Sequence, residues 1–155
     1  MRQAALLLAK DTDFAKRMVN GGRLSVPSVY RSPLSTPDRD EWSAGPQPGA
    51  HMKDAPLLGT HGPSFLTEQF IRAGHDFVVL EAANGTALDV PEDAGSVRIG
   101  GDALLADETG LFAQRYDMTP GAAYLLRPDG YVAARFKTPD RASIAAAIAR
   151  ARGRT

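Results

Sequence analysis

The sequence predicts an α/β fold: a mixed sheet flanked by helices, behind a long Pro/Gly-rich N-terminal arm. Three observations carry that expectation. Phe77-Val78-Val79-Leu80 is a continuous apolar run, the pattern of a strand buried on both faces. Arg127-Pro128-Asp129-Gly130 separates the apolar runs Ala122–Leu126 and Tyr131–Phe136. Pro pre-sets φ at the second turn position and Gly closes the turn, so a β-hairpin is expected there. Of the 15 Gly and 11 Pro, 6 Gly and 7 Pro lie between Gly21 and Pro63. Each residue before a Pro is pushed toward extended backbone, which excludes a long helix from that stretch.

Residues 3 to 19 read as a helix, with Leu7, Phe14 and Met18 on one face and Asn20-Gly21-Gly22 as its stop. The Pro/Gly-rich stretch still carries apolar anchors, among them Leu34, Trp42, Leu57 and Leu58. A disordered linker would be poorer in these, so the stretch is read as an arm lying on a surface. Residues 1–63 form the helix and arm, and residues 64–155 the domain. Residues 64 to 74 hold a short strand or helical turn ending at Gly74. Val97-Arg98-Ile99 is a second short strand, stopped by Gly100-Gly101. Asp107 or Thr109 can cap a helix running to about Tyr116, with Phe112 and Tyr116 stacked at i and i+4. Thr138 is the expected N-cap of the last helix, with Pro139 at its first position and Asp140 favouring its positive end. Ile144, Ile148 and Ala151 make the apolar stripe of that helix, and Gly153 ends it.

Composition removes whole classes of function. The chain has no Cys, so it has no thiol redox chemistry, cysteine nucleophile or Cys-ligated metal. Eighteen basic residues balance 18 acidic ones, which argues against a general nucleic-acid binder. No apolar run is long enough to span a bilayer, and the stretch Ala4–Ala9 lacks a signal-peptide cleavage site. The expectation is a cytoplasmic protein.

From Asp107 to Arg135 the sequence resembles the second half of the thioredoxin and peroxiredoxin fold. The residues that carry the resemblance are Asp107-Glu108-Thr109-Gly110, Tyr116, Thr119-Pro120, Tyr124-Leu125-Leu126, Arg127-Pro128-Asp129-Gly130 and Val132. If Phe77–Leu80 is the first central strand, the redox Cys-x-x-Cys turn of that fold would follow it. Ala83-Asn84-Gly85-Thr86 stands there instead, so Asn84 and Gly85 mark a vestigial redox position without a thiolate.

A wider resemblance runs from about Gly22 to Phe136. Gly22-Arg23-Leu24-Ser25, Tyr30, Ser32-Pro33-Leu34, Asp38, Trp42, Gly45-Pro46, Pro48-Gly49-Ala50, Asp54-Ala55-Pro56-Leu57 and Arg127-Pro128-Asp129-Gly130-Tyr131-Val132-Ala133 look like one family. That family is the C-terminal, redox-inactive thioredoxin-like domain of FAD-dependent aromatic-ring monooxygenases of the phenol hydroxylase and 3-(3-hydroxyphenyl)propionate hydroxylase type. Two departures are local: Pro48-Gly49-Ala50-His51-Met52-Lys53-Asp54 replaces Pro-Gly-x-Arg-x-Pro-Asp, and Tyr116-Asp117 replaces Tyr-Gly. The resemblance implies a non-catalytic domain of such a hydroxylase, or a separate subunit related to one, that serves assembly or dimerisation. FAD and NAD(P)H are then expected only in a larger parent or partner, since no G-x-G-x-x-G fingerprint occurs in this chain. The implied partners are a second copy or the flavin-binding hydroxylase portion. A stand-alone thioredoxin-like binding module without thiol activity is the alternative.

No catalytic, cofactor-binding or metal site is assigned from the sequence. His51, His61 and His75 lack i, i+4 or His–carboxylate spacing, and no nucleophile turn of the G-x-S-x-G kind occurs. Gly101-Asp102 reads as a strand-end turn. Tyr30, Trp42 and Tyr131 are the candidate interface anchors, because aromatics concentrate binding energy. Packing of the arm on its own domain is the equal alternative.

Overall fold

The computed structural model describes residues 28–154. The helix expected over 3–19 and its Asn20-Gly21-Gly22 stop lie outside them. The order is β1 (Pro56–Gly59), β2 (Gly62–Phe65), α1 (Leu66–Ala73), β3 (Phe77–Ala82), β4 (Ala94–Ile99), α2 (Leu111–Tyr116), β5 (Ala123–Leu126), β6 (Val132–Phe136) and α3 (Arg141–Ala151). β1 and β2 form an antiparallel hairpin, and the other four strands form a mixed sheet of order β4-β3-β5-β6. β3 runs parallel to β4 and antiparallel to β5. This is the mixed α/β architecture expected, in its thioredoxin-like form.

The apolar run does lie in the sheet's centre, and its period of two divides the core. Val78 and Leu80 face one layer with Tyr124, Leu126, Phe112 and Tyr116. Phe77 and Val79 face the other with Leu125, Ile144 and Ile148 of α3. The Arg127–Gly130 turn closes the β5–β6 hairpin: Gly130 donates to the Arg127 carbonyl at 2.9 Å, and Gly130 takes φ +77°, a left-handed value that glycine adopts freely.

Four local expectations change. Residues 64–74 are both strand end and helix: β2 runs to Phe65, and α1 ends at Gly74, φ +65°. The β1–β2 hairpin went unread because Pro56 and Pro63 punctuate it. Pro is compatible with a strand's first residue and with edges. The strand expected at Val97–Ile99 begins at Ala94, where pairing with Phe77 extends it.

The fourth concerns α3, whose N-cap is Asp140 rather than Thr138. The Asp140 carboxylate accepts the Ser143 N–H at 2.7 Å, and the Asp140 N–H donates to Ser143 Oγ at 3.0 Å. A carboxylate satisfies the helix N-terminus by charge as well as by hydrogen bonding, so the helix starts one residue after Asp140. Asp140→Ala is expected to lower stability by about 1 kcal/mol and Thr138→Ala by much less, measured by urea denaturation. Equal effects would return the cap to Thr138.

At α2 the two proposed caps share the work. Asp107 accepts the Phe112 and Ala113 N–H groups at 3.2 and 2.9 Å, and Thr109 Oγ1 accepts the Leu111 N–H at 3.3 Å.

The arm from residue 28 to 55 lies along β6. The Thr36 N–H donates to the Ala133 carbonyl, Gly49 to Val132, Val132 to Ala50, and Met52 to Gly130, all within 2.9 Å. These bonds cover an edge strand that would otherwise present unpaired backbone.

Candidate functional site

Two constellations stand out. The first clamps the arm to the sheet. Tyr124 on β5 stacks edge-on against Trp42 of the arm at 5.3 Å and against Tyr116 of α2 at 5.0 Å. Its hydroxyl donates to the Tyr116 carbonyl at 2.6 Å, and the Tyr116 hydroxyl donates to the Lys53 carbonyl at 2.6 Å. Register places Arg135 of β6 opposite Tyr124. From there its guanidinium forks onto Asp38 at 2.9 and 2.7 Å, donates to the Ala44 carbonyl at 2.9 Å, and lies 4.7 Å over the Trp42 ring. Lys137 Nζ sits 3.8 Å over the same ring and donates to the Asp117 carbonyl. Trp42 Nε1 is buried without a partner among the described residues. Indole is held here by its faces and edge rather than by its N–H.

Burial pushes the Tyr124 hydroxyl up to about 12, with Arg135 opposing, and burial raises Tyr116 further still. A phenol raised in the folded state favours folding below its unfolded value of 10.0. That contribution is lost as pH climbs from there toward about 12. Stability is expected to fall above about pH 10, and less steeply in Tyr124→Phe, measured by urea midpoints at neutral and alkaline pH. Parallel falls in the two proteins would remove Tyr124 from the cause.

Of the three aromatic candidates, Trp42 is the centre of this clamp. Tyr30 and Tyr131 make a second pin. Their rings meet edge-on at 5.3 Å, and His51 meets Tyr131 edge-on at 5.1 Å. Tyr30 remains 59% exposed. Within the chain all three hold the arm, and Tyr30 also keeps a face to solvent.

The second constellation lies at the carboxyl ends of the parallel pair β3 and β4, where Asn84 and Gly85 sit. No helix follows β3: residues 83–93 pass to β4 as a loop. Gly85 is tied down by its neighbours. Its carbonyl accepts Arg98 Nη2 at 2.8 Å, and its N–H donates to Asp102 Oδ1 at 3.3 Å. Arg98 also donates from Nε to Glu81 at 3.3 Å. Glu81 is only 1% exposed and accepts the Leu88 N–H as well. The Gly100–Gly101 turn brings these parts together, since a Cβ on Gly101 would stand 2.7 Å from the Ala83 carbonyl oxygen. Asp102 thus lies in the turn that follows β4, as the sequence suggested, and its carboxylate bonds across to Gly85 and Arg98.

The buried Glu81 was missed in the sequence. Its signal was a lone charge inside the apolar run Phe77–Ala83, and a buried carboxylate requires a partner. Among the described residues no cluster of His, Asp and Glu could hold a metal ion. None of the helices there is long and apolar enough to cross a membrane.

Comparison with known proteins adds the family. A search of curated proteins gives no match. Solved structures share the fold. One is an aklavinone-11 hydroxylase in complex with FAD and aklavinone, at TM-score 0.65 and 19% identity, covering 83% of this chain and 27% of that one. Another is the flavin-dependent monooxygenase PieE with FAD and substrate, at TM-score 0.66 and 22% identity, covering 99% and 30%. A third is the rebeccamycin biosynthetic enzyme RebC with reduced flavin, at TM-score 0.61 and 20% identity, covering 98% and 27%. The chain therefore spans less than a third of each of these proteins. The model of the family described as "Aromatic-ring hydroxylase, C-terminal" matches residues 45–155, and with that match over most of its length the chain belongs to the aromatic-ring hydroxylase C-terminal family.

Proposed function

We propose that this chain is a non-catalytic domain that serves the assembly of a FAD-dependent aromatic hydroxylase, either as its C-terminal part or as a separate subunit. Its partners are a second copy or the flavin-binding portion, in the cytoplasm. The family match over residues 45–155 carries the reading. The flavin and nicotinamide sites belong to the larger portion. The β3–β4 connection contains no helix, so it offers no helix N-terminus to a pyrophosphate. At the position where a redox fold would carry thiols, Gly85 is instead bonded to Arg98 and Asp102.

Sedimentation velocity tests the reading, run over a wide concentration range with and without the flavin-binding polypeptide of a related hydroxylase. Concentration-dependent self-association or co-sedimentation is expected. A strict monomer that also ignores the flavin-binding polypeptide would overturn the assembly role. Hydroxylation by the purified chain with FAD, NAD(P)H and phenols would overturn the non-catalytic one.

A further inference from the structure

We propose that the cleft along the outer edge of β4 binds a small organic carboxylate with an apolar body, gripped by Arg98 and Arg72. The cleft measures about 640 Å³, within the roughly 300–1,000 Å³ of small-molecule sites. It adjoins the carboxyl ends of the parallel pair β3 and β4, where open α/β sheets characteristically take ligands. The α1 helix supplies Arg72, β4 supplies Arg98 and Val97, and the following loop supplies Asp102, Leu104 and Leu105.

Arg98, which lines the cleft, is pre-positioned. Glu81, buried beneath the loop, holds Nε of Arg98 from behind, and the Gly85 carbonyl holds Nη2 at 2.8 Å. Arg98 Nη1 has no hydrogen-bond partner among the described residues. A fork fixed in this way loses little entropy when it meets a carboxylate. Asp102 shows the chemistry already: its carboxylate rests on Arg98 Nη2 and the Gly85 N–H, both at a long 3.3 Å, and its side chain is 51% exposed. It is a loose internal occupant that a better-placed carboxylate can displace.

The other acid in the cleft, Glu68, is already engaged. It accepts Ser64 Oγ at 2.8 Å and the Phe65 N–H at 3.3 Å, bonds that hold its carboxyl below the usual carboxylate range. His61 also lines the cleft and adds no negative charge. Leu104 is 79% exposed. An apolar side chain so placed, with Leu105 and Val97 nearby, selects a ligand with an aromatic or aliphatic body rather than a bare anion.

The test is an NMR titration of the 155-residue chain with benzoate, against benzamide as the uncharged match. Saturable shifts at the Gly85, Ser96 and Leu104 amides are expected with benzoate and absent with benzamide. Arg72 is exposed, so Arg72→Ala should keep the wild-type Tm while weakening benzoate about tenfold. Asp102→Asn removes the internal competitor and should tighten benzoate several-fold. Equal responses to benzoate and benzamide, no saturable response, or unchanged affinity in both variants would each overturn the proposal. Binding by a monomer supports it, so its outcome is separate from that of the assembly reading.

Discussion

Arg135→Ala is expected to lower the stability of the chain by about 3–5 kcal/mol and to free the arm before the sheet melts. The side chain of Arg135 is 7% exposed and that of its partner Asp38 is 29% exposed. The deletion removes both fork bonds to Asp38 and the bond to the Ala44 carbonyl, and it vacates space on one face of Trp42. Asp38 is wet enough to regain part of its hydration, which places the loss toward the lower end of the range. Arg135→Lys keeps the charge but cannot fork onto Asp38 and reach Ala44 together, so an intermediate loss is expected. The chain's single Trp makes the experiment direct. Trp42 emission should shift to the red at lower urea than the loss of far-ultraviolet circular dichroism, and only in the variants. A single coincident transition in Arg135→Ala, with stability within about 0.5 kcal/mol of wild type, would remove Arg135 from the clamp.

Gly45→Ala should cost at least 3 kcal/mol, a loss reserved for a substitution with two separate penalties. Gly45 adopts φ +84°, and a Cβ there would stand 2.3 Å from the Tyr124 hydroxyl oxygen and 2.7 Å from the Tyr116 carbonyl oxygen. The first contact lies within the Tyr124–Tyr116 hydrogen bond itself. Neither atom can retreat: Tyr124 is fully buried, and the carbonyl is backbone. Gly100→Ala isolates the conformational term. Gly100 has φ +76° with nothing within 4 Å of the added carbon, so it should lose only about 1–2 kcal/mol. The difference between the two midpoints in urea measures the steric part. Equal losses would mean that the arm can shift away from Tyr124 at little cost.

These effects lie where the sequence was least legible. The turn at Arg127–Gly130, the buried strand beginning at Phe77 and the closing helix were readable because each is encoded within a few neighbouring residues. Turn geometry, side-chain period and helix capping are local properties. Even so, Thr138 and Asp140 are both competent caps in the sequence, and only the bonds with Ser143 distinguish them. The hairpin at residues 56–65 went unread because its prolines resemble those of the preceding arm. Tyr30, Trp42 and Tyr131 were recognisable as anchors, but their partners were not: Trp42 meets Tyr124 and Arg135 across the sheet.

By itself the sequence determined that no thiol stands after the central strand, that a β-hairpin follows a short helix, and that the Pro/Gly-rich stretch would run extended with aromatic pins. Tertiary structure decided which charges meet. Asp38 reaches Arg135 across 97 positions, and Glu81 reaches Arg98 across 17. Both pairs depend on strand register. β6 sets Arg135 opposite Tyr124, and the parallel β3–β4 ladder sets Glu81 opposite Arg98. A one-residue slip would turn either side chain to the other face of the sheet. The Cys-free loop after β3 was visible in the residues. That it would be tied down by Arg98 and Asp102 beside an open cleft followed only from the fold, because strand pairing alone joins groups so far apart in the chain.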